Sequence, residues 1–132
     1  MIFETALYNY LSTYAGLTAL IGTRIYPVLE PQNVKYPALV FQQISGPRVH
    51  AMGDDPGITY PRYQFTAWAE KHTEAVAVAK QVRLAFENYS GTMGGEGGVT
   101  IYHAEVDNQF SDHNEQTNKY CSIVDVIIWH GE

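Results

Sequence analysis

Hydrophobic residues recur every three to four positions in two stretches of the chain, which is the spacing of a helix with one buried face. Residues 2–14 predict an amphipathic first helix, and residues 17–21 predict a further turn or two that Gly22 ends through a positive φ. The second helix is predicted to begin after Thr73 as its N-cap and to stop at Gly91. The apolar residues of the two helices are Ile2, Phe3, Ala6, Leu7, Tyr10, Leu11 and Tyr14, and Ala75, Val78, Ala79, Val82, Ala85, Phe86 and Tyr89.

Stretches rich in β-branched and aromatic residues predict strands between and after these helices. The second and third strands form a long hairpin whose flexible tip is residues 52–57, and residues 91–98 and 110–119 are predicted to be connecting loops. The last strand has apolar residues on both faces, which predicts a central strand or a face covered by a neighbouring subunit. The predicted strands cover about residues 24–28, 38–51, 60–70, 99–107 and 120–130.

The order of these elements predicts an α+β fold. We expect an antiparallel sheet of about four to five strands, with two helices packed on one face and a long protruding β-hairpin. The 132 residues fit one domain, 1–132, which buries roughly two thirds of its unfolded surface without a disulfide or a metal.

Composition and charge narrow the classes of function. A hydrophobic fraction of 45% with 17% charged residues is typical of a folded globular protein. The net charge of -6 disfavours general binding to nucleic acid or to anionic membranes. Cys121 is the one cysteine, and its strand-like context predicts a small buried hydrophobic residue. No segment approaches the ~20 apolar residues that span a bilayer, so we expect a soluble protein made in the cytoplasm.

The chain offers little that resembles a catalytic, cofactor or metal site. The glycine-rich stretch 94–98 lacks the lysine and Ser/Thr of a P-loop and precedes a strand, so a plain loop is the favoured interpretation. Asp112, His113 and Glu115, with Asp107 nearby, are the one cluster that resembles a metal site, but their spacing is typical of a solvated loop. We therefore predict no catalytic residue, no cofactor and no metal, and hence a protein that is not an enzyme.

The long hairpin is the best candidate for a surface that binds another protein. Its arms carry basic residues beside an acidic tip, and the chain contains ten tyrosines and two tryptophans, residues that are favoured at interfaces. The alternative is a solvated hairpin with cross-strand charge pairs. The candidate interface residues are Arg48, His50, Asp54, Asp55, Tyr60, Arg62 and Trp129.

Four segments in order resemble the tail completion family of long-tailed bacteriophages and prophages, whose members join tail to head and are tail terminator-like. These segments are residues 17–27 (LTALIGTRIYP), 36–46 (YPALVFQQISG), 65–69 (FTAWA) and 124–130 (VDVIIWH). The resemblance extends from residue 6 to residue 130. Its motifs are structural, and none is catalytic.

The resemblance implies a structural subunit that forms a ring, commonly a hexamer, at the head-proximal end of the tail. Such a ring would end growth of the tail tube and join the tail to the head connector or stopper protein. DNA would pass through its lumen without specific binding, and an acidic lumen suits that passage. The resemblance places the protein in the virion, after assembly in the host cytoplasm, with no membrane contact. It also makes residues 47–60 an arm that contacts another subunit or the connector.

Two other functions stay open at this point. The nearest alternative is another neck component, such as a head completion or stopper protein. A small ligand-binding domain or an enzyme could also use an α+β frame, because fold does not determine function.

Overall fold

A computed structural model describes residues 2–27, 35–47, 57–95, 97–116 and 118–131. Three helices and seven strands make up this part of the chain. The helices are α1 Phe3–Ser12, α2 Ala15–Ile21 and α3 His72–Phe86. The strands are β1 Ile25–Pro27, β2 Ala38–Ser45, β3 Ile58–Thr59, β4 Arg62–Ala69, β5 Gly91–Met93, β6 Val99–Asn114 and β7 Lys119–Gly131.

All seven strands belong to one sheet, with the order β1-β2-β4-β7-β6-β5 and with β3 paired to β7. The α+β class is confirmed, but the sheet is larger than the predicted four to five strands. It is also mixed, because β1 runs parallel to β2 while the other pairs are antiparallel. The prediction of a purely antiparallel sheet is therefore wrong at one edge, where β1 has only three residues.

Strands β3 and β4 act as one interrupted strand along β7. Ile58 pairs with Gly131 and Arg62 pairs with Ile127, so both ladders keep the same register and Tyr60 falls opposite Trp129. Pro61 lies at the interruption because proline has no N–H to donate to a ladder. Its carbonyl still accepts a hydrogen bond from the Ile128 N–H at 3.0 Å.

The helices follow the predicted apolar stripes, although their ends differ from the prediction. Gly22 follows α2 with a φ of 60°, as predicted. Thr73 is not the N-cap of α3: the helix begins at His72, and the Ala75 N–H already donates to the Lys71 carbonyl at 3.2 Å. The helix also ends at Phe86, well before Gly91, and Asn88 then adopts a left-handed φ of 57° that asparagine tolerates. The chain contains α2 as a separate helix, so three helices replace the predicted two.

Two predicted loops contain strand. Gly91–Met93 is β5, which pairs with the start of β6, and residues 110–114 are the far end of β6. Gly98 lies close to the end of β5 and leaves no room for a side chain, because a Cβ there would lie 2.0 Å from the Met93 carbonyl oxygen. The polar far end of β6 has no alternating pattern because it is exposed on both faces.

The core lies between the helices and one face of the sheet. Along β4 the odd-numbered side chains are buried and the even-numbered ones are half-buried, while along β7 the even-numbered side chains from Ser122 onwards are buried. Phe65 of β4 stacks on Phe86 of α3 with ring centroids 5.0 Å apart. At the other end of the sheet, the ring of Phe3 in α1 stacks on His130 of β7 at 4.0 Å. One face of the central strands thus packs against all the described helices.

The predicted protruding hairpin is described only in part. Strands β2 and β4 are antiparallel neighbours from Ala38–Trp68 to Ser45–Arg62, with a bulge between Gln43 and Ser45. Residues 48–56, which include most of the predicted tip, lie outside the described residues. The longest hairpin of the described sheet is instead β6–β7, whose strands have 16 and 13 residues.

Candidate interaction surface on the helix-free face

The opposite face of the sheet is not covered by any helix of the described residues. Strand register and side-chain alternation place on it the even-numbered residues of β4, the odd-numbered residues of β7 and their neighbours in β2 and β6. We call this surface the helix-free face. It comprises Val40, Gln42, Tyr60, Arg62, Gln64, Thr66, Trp68, His103, Glu105, Asp107, Asn108, Phe110, Asp112, Cys121, Ile123, Asp125, Ile127 and Trp129.

Three of the predicted interface residues meet on this face. Tyr60 lies across from Trp129, and Arg62 pairs in register with Ile127, two residues away from Trp129 along β7. The four other predicted interface residues, Arg48, His50, Asp54 and Asp55, lie outside the described residues, so their role stays a prediction. The structure therefore places the described part of the candidate site on one face of the sheet and not on a protruding hairpin arm.

An aromatic cluster occupies one end of the helix-free face. The rings of Tyr60 and Trp129 are stacked, with centroids 5.9 Å apart and planes inclined by 14°. His103 of β6 contacts the other side of the cluster, with its ring centroid 5.5 Å from that of Trp129. Stacked rings of this kind add apolar area with little conformational freedom left to lose on binding.

A charged cluster lies beside the aromatic rings. The Arg62 guanidinium contacts the Asp107 carboxylate at 2.5 Å and the Asp125 carboxylate at 3.7 Å, so it links β4 to both β6 and β7. Asp107 reaches this position from a bulge in β6 between Val106 and Asn108. Two carboxylates share one cation here. Among the described residues, Arg62 has cross-strand charge partners in β6 and β7, while the acidic tip of the predicted hairpin lies outside the described residues.

Asp125 is the member of this cluster that has a carboxylate oxygen without a hydrogen-bond partner among the described residues. Its side chain is only 14% exposed, and its Oδ1 atom is buried without a hydrogen-bond partner among the described residues. A buried acceptor without a donor costs about 1–3 kcal/mol. The Asp125 Oδ1 atom is thus an unsatisfied acceptor that is enclosed within the charged cluster.

Sequence reasoning did not include Asp107, Asp125 and Phe110 among the candidate interface residues, although the structure places them on the helix-free face. Asp125 did carry a signal, because it is the one charged residue within the apolar run of the last strand. Asp107 carried no such signal in the sequence, since it is a bulge in β6 that brings it to Arg62. Phe110 is 43% exposed at the far end of β6, in the stretch that was predicted to be a loop.

The structure gives no support to a metal site in the described residues, where no group of three or more His, Cys, Asp or Glu side chains is placed to hold an ion. The Asp112 carboxylate instead accepts a hydrogen bond from the His113 N–H at 2.8 Å. The His113 ring nitrogen Nε2 lies 3.0 Å from Asn118 Oδ1. Both contacts are local to the turn of the β6–β7 hairpin.

The shifted pKa values all trace first to burial. Burial, with smaller contributions from Tyr89 and Tyr14, raises the pKa of Tyr10 to about 12. Burial and then Glu4 raise the pKa of Tyr63, and burial also raises the pKa of Tyr89. On the helix-free face, burial raises the pKa of the Cys121 thiol, which disfavours the reactive thiolate. These shifts are typical of packed side chains, and none activates a nucleophile.

A groove on the helical side of the molecule has a volume of about 440 Å³ and lies between α2, α3 and the residues just before β2. Its walls include Leu20, Tyr36, Pro37 and Ala77. None of the described helices is long and apolar enough to cross a membrane.

Comparison with known proteins identifies the family. A family model described as Tail completion protein gp17 matches residues 5–131. Among solved structures, a chain of the "Virion of native gene transfer agent (GTA) particle" is similar, with a TM-score of 0.71 and 17% sequence identity. The match covers 97% of this chain and 94% of that chain, and at this identity it shows a shared fold. No curated protein matches the chain.

Proposed function

Because this chain belongs to the tail completion protein gp17 family, we propose that it is a structural virion protein of a long-tailed phage or prophage. In this proposal it assembles into a ring, which we expect to be a hexamer, at the head-proximal end of the tail. The ring ends growth of the tail tube and joins the tail to the head. Its partners are further copies of the chain, the tail tube protein and the head connector or stopper protein.

The observation that carries an assembly role is the helix-free face. Its Tyr60–Trp129 stack and its Arg62 cluster lie on a sheet surface that no described helix covers. A two-layer α+β domain normally buries one sheet face and leaves the other polar. Here the second face also carries large apolar side chains, among them Trp68, Ile123 and Ile127, which favours burial against another protein.

The charge distribution is compatible with passage of DNA. The chain carries 14 acidic against 8 basic residues, a net charge of -6. A lumen lined by an acidic surface would repel phosphates, so that DNA would pass without specific binding. The protein would be made in the host cytoplasm and would reside in the virion.

Negative-stain electron microscopy of the purified protein, alone and mixed with tail tubes, tests this proposal. We expect rings with a central channel and a single ring at one end of each tube. Tube protein polymerised with this chain present should give tubes that stop growing once capped, whereas tubes polymerised without it should continue to grow. If no ring forms and no tube end is occupied, the proposed function is wrong.

A further inference from the structure

The two sides of this molecule are complementary to each other. One side is the helix-free face, which is acidic and carries the exposed ring of Phe110 and the unsatisfied Oδ1 atom of Asp125. The other side is the outer surface of the helical layer, where α3 exposes Lys80 and Leu84. Since every copy has both surfaces, a second copy can contact the first without a twofold axis at the interface between them.

We propose that the helix-free face of one copy is covered by the outer stripe of α3 of the next copy, in a head-to-tail contact. The outer stripe consists of Thr73, Ala77, Lys80 and Leu84, which are spaced four, three and four residues apart and therefore share one side of α3. This inference rests on the proposed function, because it specifies the two surfaces that form the ring.

Charge favours this contact. Lys80 is exposed and forms no ion pair within the described residues. On the helix-free face, Arg62 neutralises only one of the two carboxylates of Asp107 and Asp125. A Lys80 ammonium from the next copy would supply the missing positive charge beside the Asp107 carboxylate, whose side chain is 39% exposed.

Shape favours the same contact. The groove beside the outer stripe is lined mostly by apolar side chains such as Leu20, which is 38% exposed, together with Thr73 and Glu74. Its volume of about 440 Å³ exceeds what one phenyl ring needs, so it can accept an exposed ring such as Phe110 of the next copy. An apolar projection on one side of a molecule and a matching groove on the other side generate repeating head-to-tail contacts, which close into a ring if the rotation allows.

A symmetric contact between two helix-free faces is disfavoured. It would bring Glu105, Asp107 and Asp125 of one copy against the same residues of the other, and like charges across an interface are destabilising. Contact with a helical layer is also favoured over contact between two sheets. A sheet with helices on one face gains a third layer when the helices of the next copy cover its other face.

Two blocked variants test this contact. Lys80→Glu blocks the outer stripe, and Phe110→Asp blocks the helix-free face; both side chains are exposed, so neither change should unfold the subunit. Circular dichroism and thermal unfolding establish that each variant is folded. Lys71→Glu is the matched control, because it makes the same charge change at an exposed residue outside the outer stripe.

Mass photometry of the separate proteins, and microscopy of the same proteins on tail tubes, measure assembly. The wild type and Lys71→Glu should form rings, while Lys80→Glu and Phe110→Asp should each lose about tenfold or more in association constant, or about 1.4 kcal/mol. An equimolar mixture of the two blocked variants should give dimers and nothing larger. In such a pair, the intact α3 of the Phe110→Asp chain meets the intact helix-free face of the Lys80→Glu chain.

The outcomes separate this inference from the proposed function. If the wild type forms rings and either folded blocked variant assembles equally well, the proposed head-to-tail contact is wrong. The proposal that the protein forms a ring is not contradicted by that result. A mixture that forms full rings, or no dimers at all, also overturns the contact. If the wild type forms no ring alone or on tubes, the proposed function fails, and the contact fails with it.

Discussion

The two faces of β4 and β7 differ sharply although they belong to the same strands. On the helix-covered face, Phe65 and Val124 are fully buried and pack against one another and the helices. On the helix-free face, Arg62 and Asp125 lie beside Tyr60 and Trp129, half-buried and with no helix of the described residues above them. The first face accounts for folding of the subunit, and the second face has the composition of an interface.

The largest expected effect is on the helix-covered face. Phe65→Ala should lower the free energy of unfolding by about 3–5 kcal/mol, because it leaves a cavity next to Phe86 in the core. Its matched control is Thr66→Ala, one residue along β4 on the helix-free face, which should cost less than about 1 kcal/mol in the isolated subunit. Urea unfolding measures both, and equal losses would contradict the assignment of the two faces.

A smaller effect is expected from Arg62, which organises the helix-free face. Arg62→Ala should lower the free energy of unfolding by about 1–3 kcal/mol, because it leaves the poorly exposed Asp125 carboxylate without a cation. Arg83→Ala is the control, since its ion pair with Glu87 spans one turn of α3 at the surface and should contribute only about 0.3–0.5 kcal/mol. Chemical denaturation of the two variants checks the difference. If Arg62→Ala costs no more than Arg83→Ala, the cluster has no structural role.

The smallest effect is expected at alkaline pH and concerns the helix-covered side. The pKa of Tyr10 is raised from 10.0 to about 12, mainly by burial, so the folded state binds this proton more tightly than the unfolded state does. That stabilisation is complete below pH 10 and is lost as the pH rises from 10 to 12. Thermal unfolding between pH 9 and about 12 should show this decline, and Tyr10→Phe should make it shallower. An unchanged slope in Tyr10→Phe would contradict a role for this hydroxyl.

Sequence reasoning predicted the helix-covered half of the molecule well. The apolar stripes of α1 and α3 and the alternation in β4 are direct consequences of burial on one face, and each corresponds to an element of the structure. The predicted positions of the helix ends were less accurate. Thr73 is a good capping residue by type, but the Lys71 carbonyl already accepts the first helical hydrogen bond.

The helix-free face was predicted less completely, for physical reasons. The far end of β6 is exposed on both sides, so its sequence lacks the alternation that identifies a strand. Strand β5 has only three residues, which is too short for a periodic signal. The Arg62 cluster depends on strand order and on a bulge at Asp107, and neither can be derived from the spacing of residues in one sequence. Tyr60, Arg62 and Trp129 were predicted as interface residues from their residue types, and that role stays a prediction.

Imaging of intact particles that carry a labelled copy of this subunit is the most direct test of the central claim. The account predicts one ring of label per particle, at the junction of head and tail, at the head-proximal end of the tail tube. Label inside the head, along the tube or at the distal end of the tail would contradict it. Label on the head side of the junction, in heads that lack tails, would identify another neck component in place of a tail completion ring.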